Sequence, residues 1–255
     1  MENKMKVYIS QLDEFSKLEH LVTEYGVGLE VVMFANAMVL DDKERYVSEL
    51  REYIHKVKEI SFHGPFSDLI PGSNDPEIRR VANMRFTQGF QVAKQFKAKR
   101  IVYHTGCIPH TYWEKQWLEH SKGFWKEFTQ GKLEEMEIHI ENVYDDDYIL
   151  MGEIIDEVNN PNFSACLDIG HVNTCSSKSI DHWIKGLNKR VKHVHLHNNE
   201  GVLDNHNGLS NGKINMVKTL EMLKLYCPEA NWAIEVFDIN QLAESLKFLK
   251  NLGFL

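Results

Sequence analysis

Eight short apolar runs recur along the chain, each bounded by polar residues. They read "KVYIS" near residue 6, "VGLEVVMF" near 27, "ISFHGPF" near 60, "RIVYHTG" near 100, "EIHIENV" near 137, "FSACLDIGH" near 163, "VKHVHLH" near 191 and "WAIEVF" near 232. Runs this short, with β-branched and aromatic residues, predict buried strands. Between them apolar side chains recur three and four apart, as helices require: Phe15, Leu18, Leu21, Val22 and Tyr25; Ile78, Ala82, Phe86, Phe90 and Ala93; Ile149, Leu150, Ile154, Ile155 and Val158; Val217, Leu220 and Leu223; Leu242, Leu246 and Leu249. The second of these opens with "NDPE", where Asp75 caps and Pro76 enters the first helical turn. Strand then helix, eight times over, predicts a parallel sheet covered by helices, and the count and length fit one closed (β/α)8 TIM barrel, class α/β. A doubly wound open sheet is the rival; its glycine-rich turn after the first strand has no counterpart in "ISQLDEF". No linker or low-complexity stretch interrupts the pattern, so residues 1–255 are expected to form a single domain. The longest connection, roughly 107 to 136, carries "HTYWEKQWLEHSKGFWKEF", whose aromatics suit helix packing, a lid over the site, or both.

Composition narrows the setting. At 255 residues and 43% hydrophobic content, the chain can bury a core without covalent staples. Its four cysteines, Cys107, Cys166, Cys175 and Cys227, form no CxxC pair and fit reduced thiols. The start "MENKMKVYIS" turns polar again at "QLDEF", and no apolar run approaches membrane-spanning length. The expected picture is a complete cytoplasmic protein without a membrane partner. A formal charge of −8 gives no footprint for nonspecific nucleic-acid binding.

Candidate chemistry lies at the ends of the apolar runs, because active sites of such barrels form at the carboxyl ends of the strands. His63 ends the third run, His104 the fourth and Glu141 the fifth. Asp168 ends the sixth with His171 three residues on, His195 and His197 end the seventh, and Glu235 falls late in the eighth. Glu30, in "GLEVV", is placed to line the same mouth. Strand alternation puts Ser164, Cys166 and Asp168 on one face, and likewise His193, His195 and His197. A lone histidine at a strand end is ordinarily a hydrogen-bonded rim residue, and a lone acid a cap. Imidazoles and carboxylates at six strand ends are another matter, since buried acids cost several kcal/mol each unless cations neutralise them. A metal meets that need, and the nitrogen and oxygen donors suit zinc, manganese, cobalt or iron. Cys166 reads as core rather than ligand.

The series "HGPF", "YHTG", "IENV", "LDIGHVN", "HVHLHNNEGVLDNHNGLSNGKI" and "AIEVF" resembles, in order and spacing, the xylose isomerase-like TIM barrels, the superfamily that also holds endonuclease IV. The resemblance runs from about residue 60 to the end. In the sugar isomerase and epimerase branch it implies one divalent ion (zinc, manganese, cobalt or magnesium) on Glu141, Asp168, His195 and Glu235, with Glu141 and Glu235 as the catalytic pair that trades the substrate proton. A metal that polarises a carbonyl and its neighbouring hydroxyl acidifies the C–H between them; aldose–ketose isomerisation would then pass through an enediolate, with a hydride shift as the variant. The endonuclease IV pattern implies up to three zinc ions on His63, His104, Glu141, Asp168, His171, His195, Asp204, His206 and Glu235. His193 is then expected below the site, and His197, like Glu30, as a residue behind the ligands or a substrate contact.

Two departures from endonuclease IV bear on the substrate. The sixth strand reads "LDIGHVN" in place of a DTCH-type sequence, and the seventh-strand loop reads "HLHNNEGVLDNH" in place of "HLND" followed by an arginine-bearing segment. No arginine or lysine lies between Asn198 and Asn211, where phosphate-backbone binding would draw on them. The leading expectation is therefore a metal-dependent isomerase or epimerase acting on a small carbohydrate-like substrate: a sugar, sugar phosphate or related polyol. The alternative is an endonuclease IV-like multi-zinc phosphodiesterase; behind it come a small-molecule dehydratase and a non-catalytic binder.

Overall fold

A computed structural model describes residues 6–255. All eight apolar runs form strands: β1 Val7–Ser10, β2 Gly28–Val31, β3 Ile60–His63, β4 Arg100–His104, β5 Glu137–Glu141, β6 Phe163–Asp168, β7 Val191–Leu196 and β8 Asn231–Ile234. Each pairs in parallel with the next, and β1 pairs with β8 through Val7–Trp232 and Ile9–Ile234, which closes the barrel. The second run is cut short, because Met33–Ala35 leave the sheet as a 3-10 turn.

The helices that cover this barrel are α1 Phe15–Tyr25, α2 Ala37–Asp41, α3 Lys43–Tyr53, α4 Pro76–Gln95, α5 Glu114–Phe128, α6 Ile149–Val158, α7 Ile169–Cys175, α8 Ile180–Leu187, α9 Met216–Tyr226 and α10 Ile239–Asn251. Asp75 caps α4 by accepting from the Glu77 N–H, with Pro76 at its first position. Three residues expected on apolar helix faces, Ile78, Ile149 and Val217, are 40%, 50% and 43% exposed. Each lies in a first turn, before the helix has come down onto the sheet. The aromatics of the long fourth connection pack inward from α5, burying Trp117, Phe124, Trp125 and Phe128.

The apolar core lies between sheet and helices. Ile9, Leu29, Phe62, Ile101, Ile138, Leu167, Val194 and Ile234 all belong to it. Alternation turns the intervening residues into the lumen, and there the side chains are largely polar: Ser10, Glu30, Ser61, Arg100, His139, Ser164 and His193, all buried. Since burying unpaired polar atoms costs free energy, these groups satisfy one another across the barrel. Ser10 and Ser61 donate to Glu30, His139 pairs with Ser164, and Arg100 donates to the Tyr8 hydroxyl.

Candidate metal centre

The register that closes the barrel also gathers its polar ends. His104 pairs with Glu141 across β4 and β5, and Asp168 with His195 across β6 and β7; a register shift between Ala165 and Cys166 precedes the second pairing. Glu141 sits at the middle. Its Oε2 lies 3.2 Å from His63 Nε2 and 3.5 Å from His104 Nε2, and its Oε1 lies 3.2 Å from His195 Nδ1. The same His195 Nδ1 is 3.6 Å from Glu235 Oε1 and 3.8 Å from Asp168 Oδ2. Farther out, Asp204 Oδ2 lies 3.2 Å from His171 Nε2 and 3.0 Å from His206 Nε2. The nine residues singled out at the strand ends and in the seventh loop thus form one unbroken row.

Local structure aims them. Asp168 ends β6 and also caps α7, accepting from the His171 N–H at 2.7 Å, which turns His171 into the mouth. Asn142, next to Glu141, clasps the Asp168 backbone: its Nδ2 donates to the Asp168 carbonyl at 2.9 Å and its Oδ1 accepts from the Asp168 N–H at 3.0 Å. The seventh loop is held by two buried asparagines. Asn198 Nδ2 donates to the carbonyls of Leu209 and Ile214 while Oδ1 accepts from the Ile214 N–H; Asn199 Nδ2 donates to the Gly170 carbonyl. Between these anchors the loop presents Asp204 and His206.

Hydrogen bonds also select the histidine tautomers. Nδ1 of His63, His171 and His206 lies 2.8–3.0 Å from the carbonyls of Gly64, Asn142 and Glu235, respectively, so each donates there, and Nε2 is left facing the carboxylates, free to take either a proton or an ion. His195 is the exception. Both of its ring nitrogens lie near carboxylate oxygens, yet neither is aligned for a hydrogen bond.

The charges are correspondingly perturbed. Burial alone would raise the Glu141 carboxyl, but the histidines beside it, His195 foremost, hold it well below the ordinary carboxylate range. Burial pushes His104 down to about 3. For His206, the hydrogen bond it donates to Asp204 and the nearby Glu235 outweigh burial and lift it to about 9.

These donors fit a divalent ion. Ligand atoms each about 2.1 Å from one ion sit about 3.0–3.4 Å apart, close to the spacings around His195 Nδ1 and Glu141. Carboxylates of Glu141, Asp168 and Glu235 are buried together, and His195 is left without an aligned partner, as expected of a ligand set. The mouth offers nitrogen and oxygen donors; Cys166 is fully buried beneath it.

Two of the expected residues sit outside this row. His197 Nε2 contacts both Asp168 oxygens, at 3.1 and 3.2 Å, and its ring stacks on His206 at 4.0 Å and 10°. Nearly parallel rings send their lone pairs into parallel planes, so His197 and His206 do not converge on one ion in this arrangement. Glu30 is not at the mouth: it pairs with Ser61, two residues before His63, and is one layer deeper and fully buried. The expectation that it lines the mouth is corrected by that register. Asn142, Asn198 and Asn199 carry no signal of their own in the sequence, although Asn142 directly follows a strand end and Asn198 a mouth residue.

The surroundings are poor in cations. The segments after the eight strands (11–14, 32–42, 64–75, 105–113, 142–148, 169–179, 197–215 and 235–238) contain no arginine and two lysines, Lys178 and Lys213, both exposed. Two partly exposed phenylalanines flank the row, Phe66 stacked 4.3 Å from His104 and Phe237 4.8 Å from His206. Beside the mouth, a cavity of about 510 Å³ is lined by Cys107, Tyr112, Trp117, Asp145 and Cys175.

Residues 22–252 match the family model described as xylose isomerase-like TIM barrel. The chain belongs to this family. Among relatives of this xylose isomerase-like chain, "Uncharacterized protein MJ1311" of Methanocaldococcus jannaschii is 26% identical over 245 residues, covering 92% of this chain and 83% of that protein. Among solved structures, a D-tagatose 3-epimerase-like protein superposes with a TM-score of 0.76 at 25% identity, over 97% of this chain and 96% of that one. The TTHB071 protein of Thermus thermophilus, soaked with zinc chloride, has the same fold, with a TM-score of 0.79 at 23% identity over 97% and 98% of the two chains.

Proposed function

We propose that the protein is a divalent-metal-dependent isomerase or epimerase acting on a sugar or related polyol. The observation that carries this reading is that the carboxylates of Glu141 and Glu235, from strands on different sides of the mouth, both face His195 Nδ1, at 3.2 and 3.6 Å. Glu141, Asp168, His195 and Glu235 are the residues that would hold the ion. When bound, a divalent ion there polarises a carbonyl and its neighbouring hydroxyl and so acidifies the C–H bond between them.

The chain's own residues supply the rest. One glutamate enters as the carboxylate and takes the proton from the carbon, whose electron pair is shared with the carbonyl oxygen; the other enters as the neutral acid and gives its proton to the carbon from its own side, and exchange with solvent restores both. The histidines around Glu141 keep it ionised and ready to accept. Phe66 and Phe237 offer apolar faces to the C–H side of a sugar, while the scarcity of lysine and arginine argues against a phosphate handle. Support from relatives is in keeping, since one superposed structure is described as D-tagatose 3-epimerase-like. The test is metal content by elemental mass spectrometry on untagged protein, followed by a ketose and aldose panel in heavy water. Deuterium entering the product next to the carbonyl supports the reading; no conversion or exchange with any divalent ion removes it.

A second reading, an endonuclease IV-like phosphoesterase with up to three zinc ions, is favoured by one observation. Glu141 offers its two oxygens to different histidine groups, and His171, Asp204 and His206 form a further set beyond it. Two or three zinc ions per chain together with cleavage of an abasic-site duplex above a chelated control would favour it.

A further inference from the structure

Below the mouth, the lumen contains a carboxylate that none of the chemistry above uses. Glu30 is fully buried, and each of its oxygens faces one serine and one histidine. Oε1 accepts from Ser10 Oγ at 3.1 Å and lies 3.0 Å from His195 Nε2, within hydrogen-bond distance although the ring is not turned to align the bond; Oε2 accepts from Ser61 Oγ at 2.8 Å and from His193 Nε2 at 2.9 Å. Two serines on the flanking strands, brought level with Glu30 by the register Ser10–Glu30–Ser61, hold the carboxylate in one orientation.

The arrangement is costly unless it serves something. A buried carboxylate needs several donors, and an apolar side chain would fill the same space in an ordinary barrel interior. Of its four neighbours, three are plain hydrogen-bond donors. The fourth, His195, turns its other nitrogen toward Glu141, Asp168 and Glu235. An imidazole that binds a metal through one nitrogen must carry its proton on the other, and a carboxylate on that second nitrogen fixes both tautomer and ring plane. The remaining groups around His195 cannot substitute for Glu30, because Cys166, His63 and His193 approach the ring without a carboxylate to receive its Nε2 proton.

We propose that Glu30 is a positioning residue that receives the Nε2 proton of His195 and thereby commits His195 Nδ1 to the metal. This rests on the reading of Glu141, Asp168, His195 and Glu235 as an ion site. It assigns work to β1 and β2, which give no ligand: through Ser10 and Glu30 they set the aim of a ligand on β7.

The experiment compares wild type and Glu30→Gln, an isosteric change that removes the charge, by zinc competition titration and by the visible absorption of the cobalt-loaded protein. Weakening of metal affinity by roughly 10–100-fold, with a shifted cobalt spectrum and an unchanged circular dichroism spectrum, is expected. Equal affinity and an identical cobalt spectrum in the variant would overturn the role of Glu30 while leaving the ion site intact. Wild type that binds no divalent ion would overturn both. Because Glu30→Gln can unfold the barrel, the wild-type zinc protein is also measured by nitrogen NMR of its histidines, with His195 assigned through His195→Gln. A proton on Nε2 supports the proposal, and a proton on Nδ1 overturns it.

Discussion

The ring of His197 occupies the space that a side chain on Gly170 would need: a Cβ built there falls 1.9 Å from His197 Cε1. Gly170 lies within α7, between Asp168 and His171, so the missing side chain lets His197 reach the Asp168 carboxylate. Gly170→Ala is expected to destabilise the protein by about 1–3 kcal/mol through overpacking. With His197→Ala already present, the same change should cost little, because alanine suits a helix better than glycine. Urea unfolding of the four proteins of this cycle checks it; an equal cost in both backgrounds would clear the ring of blame.

Glu141 is the residue whose two oxygens serve different partners, so its loss should be felt most. Glu141→Gln is expected to lower turnover on the identified substrate by at least about a hundredfold, as loss of a positioned proton-transfer group does. The thermal unfolding midpoint should stay within a few degrees of wild type in the metal-free state. Near-native turnover would strip Glu141 of its proposed part.

Asp145, beside the row, supplies a pH test. Its Oδ2 accepts from Thr105 Oγ1 and the Val143 N–H, but Oδ1 has no partner. Burial is the chief cause that raises its carboxyl from 3.8 to about 6, against the lowering effect of those hydrogen bonds. The folded state thus holds the proton more tightly than the unfolded chain. This group's contribution is greatest below pH 3.8 and is lost as pH rises through about 6. Asp145→Asn does not titrate, so its stability relative to wild type should improve by about 2–3 kcal/mol between pH 4 and pH 7. Paired denaturant titrations of metal-free protein at both pH values measure it; no pH dependence in the difference would place the carboxyl in an unperturbed setting.

Metal should stabilise the fold in proportion to its free concentration. At about a thousandfold excess over Kd, a ligand confined to the native state adds about 4 kcal/mol. For a chain of this size that corresponds to an increase of roughly 8–16 °C in Tm. Scanning calorimetry of chelated protein with added zinc or manganese reads this out, and a Tm indifferent to both ions would speak against a built site.

Much of this architecture was legible in the chain. Every apolar run became a strand, and the polar residues at six strand ends converged, because a closed parallel barrel gives each strand end one destination. Depth was not legible. Glu30 looks like His63 or His104 in the sequence, a polar residue near the end of a run, yet inter-strand register places it a layer lower, and register is a long-range property that local pattern does not contain. The asparagine anchors were hidden for a related reason. Asn198 reads as loop polarity until the carbonyls of Leu209 and Ile214, more than ten residues away, come round to meet it. The first turns of α4, α6 and α9 look apolar in pattern but overhang the sheet, as Ile78, Ile149 and Val217 show.

The scarcity of lysine and arginine around the mouth also bears on how fast an ion arrives. With carboxylates clustered at one end of a chain of net charge −8 and almost no opposing cations there, the field reaches outward about a Debye length, roughly 10 Å at 0.1 M salt. A field of that sign favours the approach of divalent ions over that of polyanions. If the barrel end gathers cations in this way, its rate of metal uptake should fall as salt is added.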